Sequence, residues 1–156
     1  MEYKAIPREN ALQWIRDTYL GRKVTDSRSP AGNWLEFVLS DITRGAAELE
    51  VLVRHEMTNP YGNIHGGMMG LVIDEAMGWA VASLGAAHHF TSMSLNIDFL
   101  YAIAGGDTLI AKSRVIREGK RITNVDCFVY RADGTLLARA TSNLIATSME
   151  FIIPAS

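Results

Sequence analysis

The segment from Gly66 to Leu84 constrains the fold more than any other part of the chain. It reads GGMMGLVIDEAMGWAVASL, and its only charged residues are Asp74 and Glu75. A segment of this length could cross a membrane, but each acid near its middle would cost about 2.5–3.5 kcal/mol at the bilayer centre. No basic flank anchors the segment either. We therefore predict a helix, from about His65 to Leu84, that is surrounded by protein on most sides.

Alternating apolar residues predict β-strands on both sides of this helix. The predicted strands are 34–43 and 47–54 before it, and 91–101, 108–117, 121–131 and 135–147 after it. Both parities of 34–43 are largely apolar, which predicts a strand covered on both faces. An amphipathic helix is predicted at 8–20 and loops at 22–33 and 57–64, whereas the last eight residues receive no assignment. We predict one α+β domain over residues 1–156, with a six-stranded antiparallel sheet curled around the long helix.

The composition excludes several classes of function. The single cysteine, Cys127, excludes an internal disulfide framework and a multi-cysteine zinc site, and it favours a reducing, cytoplasmic location. A net charge of −2 gives no broad electrostatic reason to bind nucleic acid or an anionic membrane. The first ten residues lack the apolar run of a signal peptide. The histidines show no spacing that predicts a metal site.

The start of the predicted helix is a candidate site for chemistry. Gly66 and Gly67 lower helix propensity, but they allow a ligand or another backbone to approach closely. The N–H groups of a first helical turn lack internal partners and lie at the positive end of the helix dipole, so they can bind an oxyanion. Asp74 lies about 12–14 Å further along the axis, too far to act within one chain on a carbonyl group bound at the helix start. An aspartate from an antiparallel helix of a second subunit could reach that carbonyl, which suggests a composite site in a dimer.

The resemblance to a known family rests on this segment and on the strand that follows it. The motifs that carry it are Asn59-x5-His65-Gly66-Gly67-x6-Asp74, Ser92-x-Ser94-x-Asn96-Ile97, the Gly119-Lys120-Arg121 turn and Asp133-Gly134. Together, in this order of elements, they resemble the hotdog-fold acyl-CoA thioesterases of the phenylacetate-pathway (PaaI-like) type. The resemblance covers nearly the whole chain. It implies a hotdog fold, hydrolysis of acyl-CoA thioesters, and active sites at the interface of a homodimer or of a homotetramer built from two dimers.

The resemblance also implies roles for individual residues. Asp74 would be the general base or the nucleophile, and the backbone N–H of Gly66 would polarise the thioester carbonyl. Asn59 would orient the attacking water or the thioester, and Ser92 would hydrogen-bond the water or the carboxylate. His65 would hold the helix start and lie near the thioester sulfur. No cofactor or metal is implied, because CoA is part of the substrate and thioester hydrolysis needs only an oxyanion donor and a carboxylate.

Basic residues around one predicted turn are candidates for binding CoA. The family places basic side chains near this hairpin against the CoA phosphates, which implies that role for Arg117, Lys120 and Arg121. A solvated turn often carries such charges without a ligand, so this alternative stays open.

Each candidate residue also has a structural alternative. Asp74 could be a buried acid satisfied by neighbouring groups, and Glu75, rotated about 100° from it, is the rival acid. Asn59 could be only a turn residue. The methionines are expected in the core and as lining of the acyl pocket; they are Met68, Met69, Met77 and Met93.

Two other functions compete with thioester hydrolysis. A non-catalytic domain of the same fold could bind acyl-CoA, but it would have no need of an acid at Asp74. A dehydratase or hydratase is suggested superficially by Asn59-Pro60 followed by His65, but the spacing differs and the upstream aspartate of such enzymes is missing.

Overall fold

A computed structural model describes residues 3–5 and 8–154, so the interpretation of the N-terminus as free of a signal peptide falls partly outside the described residues. The helices are α1 (Ala11–Tyr19), α2 (Pro30–Leu35) and α3 (Gly66–Ala82). The strands are β1 (Tyr3–Ala5), β2 (Val38–Thr43), β3 (Ala46–Leu52), β4 (His88–Phe99), β5 (Thr108–Arg117), β6 (Ile122–Arg131), β7 (Leu136–Glu150) and β8 (Ile152–Pro154).

The main sheet confirms the predicted hotdog architecture. Its six antiparallel strands follow the order β2-β3-β5-β6-β7-β4, and α3 packs across β3, β4, β5 and β6. Among the described strands, β2 and β4 form the two edges of this sheet. The core lies between the sheet and α3, where the helix contributes Val72, Ile73, Ala76, Met77 and Ala80, all fully buried.

Local hydrogen bonds fix both ends of α3. His65 is the N-cap, and its Nδ1 accepts a hydrogen bond from the Gly67 N–H at 3.0 Å. At the other end, the Ser83 hydroxyl donates to the Ala80 carbonyl at 2.7 Å and accepts from the Gly45 N–H at 2.8 Å. The second contact attaches the helix to the β2–β3 turn. The helix is therefore held rigidly in position along the sheet.

One stripe of α3 is not fully covered within the chain. Gly67, Leu71, Asp74 and Gly78 recur at helical spacing, and all four are exposed or half-buried. The prediction that protein surrounds this helix on most sides is thus correct for the sheet face and incomplete for this stripe.

The structure corrects the predicted first strand. Residues 34–37 do not belong to it, because α2 continues through Leu35 and Glu36 takes a left-handed conformation with φ of 54°. Ser29 caps α2 by accepting from the Gly32 N–H at 3.0 Å, and a proline follows it at the first helical position. The strand begins at Val38 and buries only one face, so the expected cover on both faces is also wrong.

The chain termini pair in a way that the sequence pattern did not predict. Residues 152–154, in the segment left without assignment, form β8 and pair antiparallel with β1. In addition, β4 begins three residues before the predicted strand, at His88. These pairings depend on partners distant in sequence, so local periodicity does not reveal them.

Candidate active site

Asp74 and Ser92 are brought together between α3 and β4. The Ser92 hydroxyl donates a hydrogen bond to Asp74 Oδ1, with 2.6 Å between the two oxygens. The β4–β7 register shifts between Ser92 and Ser94, and such a bulge redirects side chains relative to the regular alternation. The bond occupies one site on Oδ1, and Oδ2 retains acceptor capacity for a reacting group.

The helix start presents two backbone donors: the Gly67 N–H, which is bonded to His65, and the Gly66 N–H. Because His65 Nδ1 accepts from Gly67, a neutral His65 ring carries its proton on Nε2. Within residues 3–5 and 8–154, no acceptor is found for the Gly66 N–H. A Cβ on Gly66 would lie 3.4 Å from the Phe99 ring, which is an ordinary van der Waals contact, so the space at this position does not require glycine. The exposed N–H of Gly66 can therefore donate to a ligand oxygen.

Asn59 organises the loop that leads to this helix start. Its Oδ1 accepts from the Tyr61 N–H at 2.9 Å and the Asn63 N–H at 3.2 Å, and its own N–H donates to the Asn63 carbonyl at 2.7 Å. These contacts match the turn alternative for Asn59. The side-chain nitrogen Nδ2 of Asn59 has no acceptor among the described residues and could still donate to a substrate.

The candidate site residues form two separate groups within one chain. Asn59, His65 and Gly66 lie at the N-terminus of α3, whereas Asp74 and Ser92 lie about 12 Å further along the helix, at 1.5 Å per residue. A single thioester carbonyl cannot contact both groups in one chain.

Arg117, Lys120 and Arg121 are exposed around the turn between β5 and β6. Glu118 in the same turn pairs with Arg44 at 2.8 Å, and no carboxylate partner is found for the three basic side chains in the described part of the chain. Val115, near the end of β5, packs beside Gly45, which is attached to the C-terminal end of α3. The turn is therefore remote from the helix start of its own chain.

A cavity of about 300 Å³ adjoins Asp74 and Ser92. Aromatic side chains dominate its apolar wall; they are Trp14, Tyr19, Trp79, Phe90 and Phe151. A more open groove of about 470 Å³ shares Asp74 and Ser92 and runs past Gly67, Leu71 and Met93. Of the four methionines expected in the core and as lining of an acyl pocket, Met69 and Met77 are buried in the core and Met68 packs against it. Met93 lines the open groove, and none of the four lines the cavity of about 300 Å³.

Glu75 lines the same cavity but is held by neighbours of its own chain. The Ser29 hydroxyl donates to its Oε1, and the Trp79 indole N–H donates to its Oε2 at 3.3 Å. Burial raises the pKa of the Glu75 carboxyl, the two hydrogen bonds oppose this shift, and the charge of Asp74 adds to it. A Cβ on Gly32 would lie 2.5 Å from Oε2, so only glycine leaves room for this carboxyl.

The sequence interpretation missed the contact between Ser29 and Glu75. The Ser29-Pro30 pair is a helix-start signal that could have placed a helix here, although nothing in the local pattern identifies Glu75 as its partner.

Neither a metal-ligating group nor a reactive thiol adds to the site among the described residues. No group of three His, Cys, Asp or Glu side chains that could hold a metal ion occurs within 3–5 and 8–154. Cys127 is buried, and burial raises the pKa of its thiol to about 12, so it is not a reactive nucleophile. None of the described helices combines the length and the apolar character needed to cross a membrane.

The sheet, the central helix and its acid beside a cavity define the hotdog class of α+β domains. The family model of the thioesterase superfamily matches residues 61–138, and the chain therefore belongs to that superfamily. The matched stretch contains His65, Gly66, Asp74 and Ser92, together with the β5–β6 turn.

Individual relatives agree with this class. The chain is 28% identical over 125 residues to human acyl-coenzyme A thioesterase 13, covering 76% of this chain and 88% of the relative. The PaaI protein of the E. coli phenylacetic acid degradation operon has the same fold, with a TM-score of 0.76 and 19% identity over 92% of this chain and 95% of that one. A hypothetical thioesterase of Streptococcus pneumoniae, solved with coenzyme A, gives a TM-score of 0.69 and 23% identity over 74% and 88% of the two chains.

Proposed function

We propose that this protein hydrolyses acyl-CoA thioesters to a free acid and CoA. The observation that carries the proposal is the hydrogen-bonded pair of Asp74 and Ser92, which lies where a partly open cavity meets a more open groove. Such a junction can hold a thioester with its acyl group inside the cavity and its CoA portion outside. The thioesterase superfamily and the similarity to acyl-coenzyme A thioesterase 13 support this class of reaction.

The chemistry requires an oxyanion donor and a carboxylate. The Gly66 N–H polarises the thioester carbonyl and stabilises negative charge on its oxygen. Asp74 either takes a proton from the attacking water or attacks the carbonyl to form an anhydride that water then cleaves. Ser92 fixes the orientation of the carboxylate, His65 holds the helix start near the thioester sulfur, and the Asn59 amide orients the thioester or the water.

The two groups of residues meet if Asp74 is supplied by a second subunit. The edge strand β4 presents unpaired backbone groups, and beside it lie the open stripe of α3 and two exposed apolar side chains, Met93 and Phe99. Two copies joined across this face would place their α3 helices side by side and antiparallel. The proposed assembly is a homodimer, or a homotetramer made of two dimers, in the cytoplasm.

The exposed basic turn supplies the remaining contacts with CoA. Arg117, Lys120 and Arg121 offer positive charge that is not neutralised by carboxylates of the described residues, and CoA carries phosphates. The overall charge of −2 means that phosphate binding depends on such local groups.

A thiol-release assay across acyl-CoA and acyl-carrier-protein thioesters tests the reaction. We expect CoA release with at least one acyl-CoA and its loss in Asp74→Asn. Binding of acyl-CoA without release of the thiol would instead identify a non-catalytic binding domain.

A subunit-mixing experiment tests the composite site. Asp74→Asn removes the carboxylate, and Gly66→Pro removes the N–H at a first-turn position that tolerates proline. The extended backbone of His65 (ψ of 137°) suits a following proline. Each variant alone should be inactive, whereas random remixing of the two should restore about a quarter of the wild-type activity, because half of the dimers are mixed and each has one intact site. No recovery with mixing shown by mass spectrometry, or a monomeric mass in sedimentation, would contradict the composite site.

A further inference from the structure

The cavity of about 300 Å³ next to Asp74 is suited to a compact ligand. Its volume of about 300 Å³ lies at the lower end of the range for small-molecule sites, roughly 300–1,000 Å³. Its aromatic wall is rigid, since Tyr19 packs edge-on against both Trp14 and Trp79, with ring centroids 5.5 Å and 5.1 Å apart. The aromatic wall therefore limits the shape of an acyl group bound against it, and the volume favours a compact one.

Much of this cavity is built by parts of the chain outside the matched family region. Residues 61–138 contribute α3 and β4, but Trp14, Tyr19, the loop Ser27–Ser29 and Phe151 lie outside them. The shape and polarity of the cavity are therefore set largely by segments that the family match does not cover.

The cavity also carries polar groups that the proposed reaction does not use. Ser27, Ser29 and Glu75 line it, and so do Arg28 and His89, whose guanidinium and ring nitrogen lie 2.6 Å apart. Burial, and then the charge of Arg28, lower the pKa of His89, so the neutral ring accepts a hydrogen bond from Arg28. A purely hydrocarbon ligand would complement these polar groups poorly and would leave the remaining acceptor positions of Glu75 without a donor.

Glu75 is the group best placed to recognise a substituent. Its two oxygens each accept one hydrogen bond, from Ser29 and from Trp79, and a carboxylate has about four acceptor positions. Glu75 projects about 100° around the helix from Asp74, so it faces a part of the ligand remote from the reacting carbonyl. A carboxylate on the ligand would be repelled by Glu75, whereas a neutral hydroxyl can donate to it.

We propose that this cavity receives the acyl group and that Glu75 determines specificity, selecting compact acyl groups with a remote hydroxyl over hydrocarbon acyl groups of equal length. This inference rests on the proposed thioester hydrolysis, because it assigns the acyl portion of that substrate. The raised pKa of Glu75 is compatible with the role, since a protonated carboxyl can both accept from and donate to a hydroxyl.

Binding of unreactive analogues tests the selection independently of hydrolysis. The probes are the thioethers S-hexyl-CoA and S-(6-hydroxyhexyl)-CoA, and calorimetry measures their dissociation constants with the wild-type protein. We expect about tenfold tighter binding of the hydroxylated analogue, the gain from one hydrogen bond to a charged group. Equal affinity, tighter binding of the hexyl analogue, or no binding of either would overturn the inference.

Three variants assign the preference to Glu75. Glu75→Met, similar in volume and apolar, should bind the two analogues within twofold of each other, whereas Glu75→Gln, which keeps an acceptor oxygen, should retain part of the preference. Glu50→Met is the matched control, because Glu50 is exposed on β3, outside the cavity lining, and its full preference should remain. Circular dichroism checks folding. If Glu75→Met does not fold, the reduced preference expected of Glu75→Gln tests the assignment by itself. An unchanged preference in Glu75→Gln and Glu75→Met would contradict the assignment.

Parallel assays with hexanoyl-CoA and 6-hydroxyhexanoyl-CoA separate the two proposals. The preference should appear in KM more than in kcat, because the hydroxyl contact is made equally in the ground state and the transition state. Hydrolysis of both substrates with equal KM would reject the selection and leave the function intact. A hydroxyl preference in binding, with no hydrolysis of any thioester, would reject the function and leave the cavity assignment intact.

Discussion

Asp74 and Glu75 are neighbours on α3, yet the two faces of the helix on which they lie differ sharply. Asp74 belongs to the open stripe and receives one side-chain hydrogen bond, from Ser92. Glu75 faces α2 and the loop before it. Ser29 of that loop and Trp79 of α3 itself both donate to its carboxyl. A rotation of about 100° therefore separates a carboxylate on the open stripe from one that, besides lining the cavity, is held by hydrogen bonds that stabilise the fold.

The difference shows how one apolar helix can carry both a reactive and a structural acid. The sheet buries the opposite side of α3 and fixes it in place, so both side chains project from a rigid support. What each acid does then depends on which segment covers its face. If this comparison is correct, substitutions at the two sites should separate activity from stability.

The largest effect is expected for Asp74→Asn. Removing the charge should lower kcat for thioester hydrolysis by about 10³-fold, within the range for loss of a general base, while the amide still accepts from Ser92. A thiol-release assay measures kcat, and sedimentation with thermal unfolding checks that assembly and stability persist. Retention of most of the wild-type kcat would remove the distinction between the two acids.

Glu75→Ala should act mainly on stability. It leaves the Ser29 hydroxyl and the Trp79 N–H without their acceptor and opens space beside Gly32, at a cost of about 2 kcal/mol in the free energy of unfolding. Urea denaturation measures this quantity. Asp74→Ala is the matched control and should cost less than half as much; equal losses at the two positions would contradict the proposed division.

How much of the difference between Asp74 and Glu75 can be predicted from the sequence depends on whether the interactions are local or join residues distant in the chain. Period-two alternation and the apolar helix are local patterns, and they predicted the six strands, the central helix and the position of Asp74. The segment that covers Glu75 consists of Ser29, which is distant in sequence, and α2. The alternation pattern places residues 34 and 35 of α2 in a strand instead. Trp34 and Leu35 fit a strand pattern, but the Ser29 cap and the following proline favour a helix.

The candidate site shows the same limit. The residues at the helix start and Asp74 are carried by a compact motif, so their positions on α3 follow from the sequence. The bond between Ser92 and Asp74 joins two elements and lies beside a shift of the β4–β7 register, and alternation reveals neither. The aromatic wall of the cavity joins α1 to the C-terminal segment, and only the folded chain brings them together.

Ser92→Ala sharpens the role of the Asp74 face. Loss of the hydroxyl leaves the carboxylate in place but free to rotate, so kcat should fall about tenfold, the equivalent of one hydrogen bond of roughly 1.4 kcal/mol. Steady-state kinetics measures the change, and Ser148→Ala, at an exposed position of β7 outside the cavity and the groove, is the control. A change confined to KM, with kcat unchanged, would indicate that Ser92 does not act through Asp74.

The smallest expected effect is a dependence of stability on pH that belongs to Glu75 alone. Burial raises its pKa above the ordinary value of 4.5, so the native protein holds a proton that the unfolded chain has already released. The contribution of Glu75 to the free energy of unfolding is therefore complete below about pH 4.5 and falls as the pH rises through the native pKa. Urea denaturation of wild type and Glu75→Gln at a series of pH values from 4 to 7 measures it. Because glutamine does not titrate, the unfolding free energy of the wild type minus that of Glu75→Gln should fall as the pH rises across this interval. A difference that is constant with pH would show that Glu75 ionises alike in both states and is less enclosed than its contacts with Ser29 and Trp79 indicate.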